Sequence, residues 1–133
     1  MAVRVVRLGS PRAVGEGLRI GTVRRPPRGV PKAEYRRRDF YDVWLPNLAP
    51  SEALLKAARR AAASDDERAW RTFVRQYCAE MNTPDNRALL DTLAALSHHG
   101  NFSIGCYCAD EARCHRSVLR ALLEERGAAM ESS

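Results

Sequence analysis

Phe102-Ser-Ile-Gly-Cys-Tyr-Cys-Ala-Asp-Glu-Ala-Arg-Cys-His-Arg-Ser-Val-Leu-Arg-Ala-Leu-Leu-Glu-Glu-Arg-Gly127 is the stretch in which the fold can be read. Phe102 to Cys108 is a β-prone run that follows a glycine stop at Gly100. A short polar connection, Ala109 to Arg113, comes next. A helix then opens near Cys114, with Val118, Leu119, Leu122 and Leu123 on one face and Gly127 as its C′ residue. Strand, short turn and amphipathic helix form the repeating unit of α/β domains, whose strands run parallel.

Working outward, Ala2–Leu8 and Leu18–Val23 are two more β-prone runs, separated by Gly9-Ser10-Pro11 and Gly15-Glu16-Gly17. Arg24-Arg25-Pro26-Pro27-Arg28-Gly29-Val30-Pro31 has too many prolines for a strand or helix interior and reads as a positively charged loop. Tyr41–Pro50, apolar but twice broken by proline, reads as a short extended piece and a packed loop. Ser51 can cap a helix through about Ala62. Ser64-Asp65-Asp66-Glu67 has the capping-box spacing, and the helix behind it carries Trp70, Phe73, Val74, Tyr77 and Met81 as one stripe. Cys78 beside that stripe is expected to pack in the core. Thr83-Pro84 starts a further helix, with Leu89, Leu90, Leu93 and Leu96 facing inward. The fold class expected is therefore α/β: a small sheet with parallel strands flanked by about four helices. The last strand-turn-helix carries Cys114-His115-Arg116. One domain over residues 1–133 is expected, with a disordered tail at about 128–133.

The 133 residues contain 22 Lys and Arg against 16 acids, a net charge of +6 that is unevenly spread. Residues 1–38 carry a net of +9 and the remainder a net of −3. A basic N-terminal third points to an anionic partner, either a phosphate-bearing small molecule or nucleic acid. No apolar run approaches the ~20 residues of a membrane span. Arg4 and Arg7 fall inside what would be the apolar region of a leader, so a cytoplasmic location is expected. Reducing surroundings then make metal binding, thiol chemistry or packing the readings for Cys78, Cys106, Cys108 and Cys114.

Strand alternation would send Cys106 and Cys108 to the same face, at the carboxyl end where α/β sheets gather ligands. The first turn of the following helix holds Cys114, His115 and Arg116. Free N–H groups there favour anions, and Arg116 adds a planar fork suited to phosphate or carboxylate. The expected ligand is a small anion, phosphate- or nucleotide-like, held by Arg116 and Cys114 with Arg24, Arg25 and Arg28 as the opposite wall. If the site catalyses, Cys108 or Cys114 is the candidate nucleophile and His115 the candidate base. His115 also falls within the apolar stripe of its helix, where a backbone-bonded structural role fits equally well. The alternative function is a nucleic-acid or protein-binding module without catalysis, resting on the basic segment.

Cys106, Cys108, Cys114 and His115 also offer four soft or borderline ligands, a possible zinc set. Their spacing weighs against it, because a Cys-x-Cys pair inside a strand is a strained chelate. No cofactor is therefore expected, with zinc as the alternative. Cys114 to Arg120 matches Cys-x5-Arg, but the intervening residues contain no glycine to form a phosphate-cradling loop.

Gly105-Cys-Tyr-Cys-x5-Cys-His-Arg-Ser117, together with Tyr41-Asp-Val-Trp-Leu-Pro-Asn-Leu-Ala-Pro-Ser51, resembles the YeaO-like family of bacterial proteins, domain of unknown function number 488. The likeness runs from about Val3 to Gly127 and implies a compact α/β domain with Cys-His-Arg opening the last helix. It implies no particular activity. The family's more typical Asp-Arg-Leu-Trp-Pro-Arg-Gly stretch corresponds here to Arg24-Arg25-Pro26-Pro27-Arg28-Gly29, which lacks the aspartate and the tryptophan.

Overall fold

The computed structural model of the chain describes residues 1–64, 66–108 and 113–131. Among these residues the strands are β1 (Val3–Arg7), β2 (Leu18–Gly21), β3 (Val43–Trp44) and β4 (Phe102–Cys106). They form one sheet in the order β1-β4-β2-β3, and every pairing is parallel. The helices are α1 (Glu52–Ser64), α2 (Glu67–Met81), α3 (Pro84–Leu96) and α4 (His115–Glu125). The α/β architecture expected from the last strand-turn-helix is the one observed.

Parallel strands are buried on both faces, and β4, flanked by β1 and β2, is buried at every residue. Val3, Val5, Phe102 and Ile104 pack into the main core with Phe73 and Tyr77 of α2, Leu90 and Leu93 of α3, and Val118 and Leu119 of α4. Alternation turns Ser103 and Gly105 to the opposite face. There Ser103 sits in register with Arg19 of β2, whose side chain is 0% exposed.

A buried guanidinium is stable only when its donors are satisfied. Arg19 Nε and Nη2 donate to the two Glu16 carboxylate oxygens at 2.8 and 3.0 Å. Its Nη1 donates to the carbonyls of Ser10 and Asp39 at 2.8 and 2.7 Å. Glu16 also accepts the Ser103 hydroxyl at 2.8 Å and the Ala13 N–H at 3.1 Å. Loops thus cover this part of the second face, tied down by one ion pair. Gly17 makes the approach of Glu16 feasible: its φ is +82°, and a Cβ there would lie 1.9 Å from the Asn101 carbonyl oxygen. Gly21 lies under the Tyr41 ring, where a Cβ would come within 2.4 Å.

Several local expectations hold. The Ser51 hydroxyl accepts the Leu54 N–H at 3.3 Å in the first turn of α1, and Thr83 caps α3 through the Asn86 N–H. Tyr41–Pro50 contains the short β3 and a 3-10 turn at Pro46–Leu48. Others are corrected. α1 continues to Ser64, so the cap of α2 passes to Asp66, which accepts the Arg68 N–H at 2.9 Å. Leu96 is half exposed, because the inward stripe of α3 continues through Leu93, Ala94 and Ser97 instead. Residues 128–131, expected as disordered, lie along β1: Val3 N–H donates to Ala129 O and Glu131 N–H to Val3 O. Residues 132–133, the rest of that tail, lie outside the described residues, as do 109–112 of the polar connection.

Burial alone would raise the Glu16 carboxyl, but hydrogen bonds from Arg19, Ser103 and Ala13 outweigh it and hold the group at about 2. A depressed carboxyl stabilises the fold above its unfolded value and loses that contribution as pH falls through its folded one. Urea unfolding should therefore show stability declining between about 4.5 and about 2 through Glu16, with Asp42 adding a share because its carboxyl is lowered as well. Glu16→Gln should cost about 3 kcal/mol near neutral pH and flatten that acid decline. A variant as stable as the parent would show that the pair is dispensable.

Candidate functional site

The carboxyl ends of the parallel strands converge on a second, smaller cluster: Leu8 after β1, Val23 after β2, Tyr41, Cys106 at the end of β4, and Cys114. Cys114 is the N-cap of α4, so the short connection from β4 brings it back beside the strand it left. Cys106 Sγ and Cys114 Sγ lie 2.7 Å apart, both buried.

His115, the first residue of α4, is buried and edge-on to the Tyr77 ring at 5.6 Å. Its Nε2 lies 2.7 Å from the carbonyl oxygen of Thr22, just beyond β2. A carbonyl only accepts, so Nε2 carries the proton and Nδ1 is left with its lone pair, 3.6 Å from Cys114 Sγ. Burial lowers the imidazole to about 4 against the raising effect of the Thr22 bond, and the ring is neutral near pH 7.

Strand alternation does not extend to Cys108. β4 ends at Cys106, and Cys108 stands exposed beyond the sheet while Cys106 is buried. Its titration is nonetheless governed by the Cys106 and Cys114 thiols. Hydrogen bonding with those two thiols, with smaller help from the Arg116 charge, lowers the Cys108 thiol despite partial burial. Cys106 is pushed up by its bonds with Cys108 and Cys114 and by burial. For Cys114 the Cys106 bond lowers, but the Cys108 bond and burial prevail and raise it. The shifts thus run in opposite directions, down for the thiol nearest water and up for the two buried ones.

Arg116 is 3% exposed. Its Nη2 donates to the Cys108 carbonyl at 2.6 Å, while its buried Nε has no hydrogen-bond partner among the described residues. The Tyr41 hydroxyl, in the same cluster as Cys106 and Cys114, is the other such buried atom.

The three basic residues expected on the opposite wall have different fates. Arg24 spans the carbonyls of Ala49 and Pro50 at 3.0 and 3.1 Å and so anchors the lead into α1. Arg25 pairs with Glu52 at 2.9 Å at the surface, and Arg28 is exposed. The Tyr107 hydroxyl donates to the Arg25 carbonyl at 2.9 Å, which brings this loop beside the exit of β4. Of the candidate nucleophiles only Cys108 is open to solvent, and the free nitrogen of His115 faces Cys114. Sequence reasoning missed Thr22, whose contribution is a backbone carbonyl and leaves no residue-type signal. It also missed Tyr41, read there as loop packing.

A family model described as the active DUF488-N3 subclade matches residues 3–127. No curated protein and no solved structure matches the chain. No helix among the described residues is long and apolar enough to cross a membrane.

The burial pattern sets an order of thiol reactivity in the metal-free, reduced protein. One thiol per chain should react fast with a disulfide reagent, and Cys108→Ser should abolish that phase. Cys106 and Cys114 should lag by at least about tenfold, because they are reached only through local opening. Fast labelling of Cys114 in the folded protein would contradict this arrangement.

Proposed function

The chain belongs to the DUF488 family, in its active N3 subclade, and from its carboxyl-edge cluster we propose that it binds a small phosphate- or carboxylate-bearing ligand of nucleotide-like chemistry. The ligand would sit between the Cys108–Arg116 turn and the loop of Arg24, Arg25 and Arg28. The observation that carries this reading is a pair of buried donors at the ligand-gathering end of the sheet, Arg116 Nε and the Tyr41 hydroxyl, that have no hydrogen-bond partner among the described residues. A buried donor without a partner costs about 1–3 kcal/mol, and more on a charged group. An acceptor-rich ligand at this edge would satisfy such donors. A guanidinium whose Nη2 is fixed by a backbone carbonyl is pre-aimed, which reduces the ordering cost on binding.

The N-terminal third supports a pocket over an open electrostatic surface. Six of its eleven cations are engaged in ion pairs: Arg4 with Glu131, Arg12 with Asp39 and Asp42, Arg19 with Glu16, Arg25 with Glu52, Arg36 with Asp42 and Arg37 with Glu34. Much of the +9 segment is therefore neutralised locally, and the field it would offer a phosphate backbone is weakened.

Thermal shift of the protein in chelator, against inorganic phosphate, nucleotides and nucleotide sugars, tests the reading. A ligand at a hundredfold over its Kd adds ~2.7 kcal/mol, a rise of roughly 5–10 °C for a chain this size. Arg116→Ala should remove the response, and the exposed Arg28→Glu should weaken it without unfolding the protein. Silence across the panel, with salt-sensitive retention on nucleic acid, would replace this reading by the nucleic-acid module.

A further inference from the structure

We propose that Cys106, Cys108, Cys114 and His115 bind one soft divalent cation, zinc by the chemistry of the donors. The inference goes beyond the anion reading and does not rest on it.

The ligand atoms of Cys106, Cys114 and His115 all lie within 4.8 Å of one another, and all three residues are buried. Two cysteine sulfurs and an imidazole gathered this closely offer three donors of the kind a tetrahedral zinc site uses, with a fourth still to be supplied. Cys108, exposed in the turn two residues beyond Cys106, is the thiol that can close that fourth corner. Zinc bonds of about 2.3 Å to sulfur and 2.0 Å to nitrogen put a tetrahedral sulfur–nitrogen edge at about 3.5 Å. The Cys114 Sγ to His115 Nδ1 separation is 3.6 Å. Cys106 and Cys114, at 2.7 Å, stand closer than the about 3.5 Å at which unbonded heavy atoms rest. An ion between them would part them by about 1 Å, to a normal ligand–ligand edge.

His115 supplies a separate line of support. A metal-bound imidazole almost always donates its second N–H to a carbonyl or carboxylate, which fixes the tautomer and aims the free nitrogen. The Nε2 bond to Thr22 O does this and presents Nδ1 to the sulfurs. Charge also balances: three thiolates and a dication carry one net negative charge, and buried Arg116, bonded to the Cys108 carbonyl, carries one positive. The objection to a Cys-x-Cys chelate held for a pair inside a strand. β4 stops at Cys106, so Cys108 lies in the turn and is free to fold back over the pair.

The probe is Co2+ added alone to the full chain, reduced and freed of metal. One equivalent should give the ligand-field and sulfur-to-cobalt absorption of a tetrahedral thiolate site, and one equivalent of Zn2+ should discharge it. Zn2+ should also slow labelling of Cys108. Cys114→Ser and His115→Gln should weaken binding at least about a hundredfold, while Cys78→Ser leaves it unchanged. Because those two positions are buried, the exposed Cys108→Ser gives an independent reading: the folded variant should lose part of the charge-transfer intensity. No cobalt absorption with all four thiols reduced would overturn the proposal, as would a Cys106–Cys114 disulfide that excludes metal. An anion response that persists in chelator while cobalt binding fails would sink the metal site alone. Stoichiometric cobalt with a silent anion panel would do the reverse.

Discussion

The ion pair between Arg19 and Glu16 is the constraint on which the second face of the sheet depends. A doubly covered parallel sheet usually has helices on both sides. Here the helices pack on the face of Val3, Val5 and Ile104, and the opposite face at Ser103 is closed by loops. Loops bring backbone carbonyls into a dry place, and those carbonyls need donors. Arg19 supplies them to Ser10 and Asp39, while Glu16 neutralises the charge and takes up Ser103 and the Ala13 N–H. The loop leading into β2, the turn at Asp39 and strand β4 are thereby tied together.

The site inherits its geometry from that closure. Arg19 N–H donates to Asp42, whose carboxylate also holds Arg12, and this seats Tyr41 over Gly21. One residue past Gly21, the Thr22 hydroxyl bonds the Gly105 carbonyl and its own carbonyl receives His115. The imidazole is thus oriented by the strand that Arg19 anchors, and Cys114 beside it is set against Cys106 by the turn into α4. A chain of rigid contacts runs from the buried ion pair to the sulfur cluster, so the cluster sits on scaffold and not on loop tips.

Where sequence reading succeeded, a periodicity carried it. The run Phe102–Cys106 followed by the apolar face of α4, and the Phe73, Tyr77 and Met81 stripe of α2, repeat at the spacing their burial requires. The resemblance over Val3–Gly127 agrees with the family match over residues 3–127. The reading failed where the deciding contact carries no periodic signal. Arg19 counted as one more cation of a basic segment, because nothing nearby signals that Glu16 folds back on it across a left-handed Gly17. The capping box failed because α1 ran past its expected end. Cys108 was assigned by a strand alternation that stops two residues short of it. Of the candidate site, Cys106, Cys114, His115 and Arg116 were legible as a group, but Tyr41 and the Thr22 carbonyl reach it through tertiary structure alone.

The distribution of charge favours recognition by a few fixed groups over attraction by a broad field. Most surface ion pairs are worth little individually, but they do cancel the long-range potential of the cations they hold. Asp42 alone engages Arg12 and Arg36, and Arg24 is turned onto backbone carbonyls. Among the described residues, what remains without a partner is local and buried: a guanidinium nitrogen and a phenol, near the close pair of Cys106 and Cys114 sulfurs. In a low-dielectric cluster such groups act strongly on whatever enters and weakly on what passes at a distance.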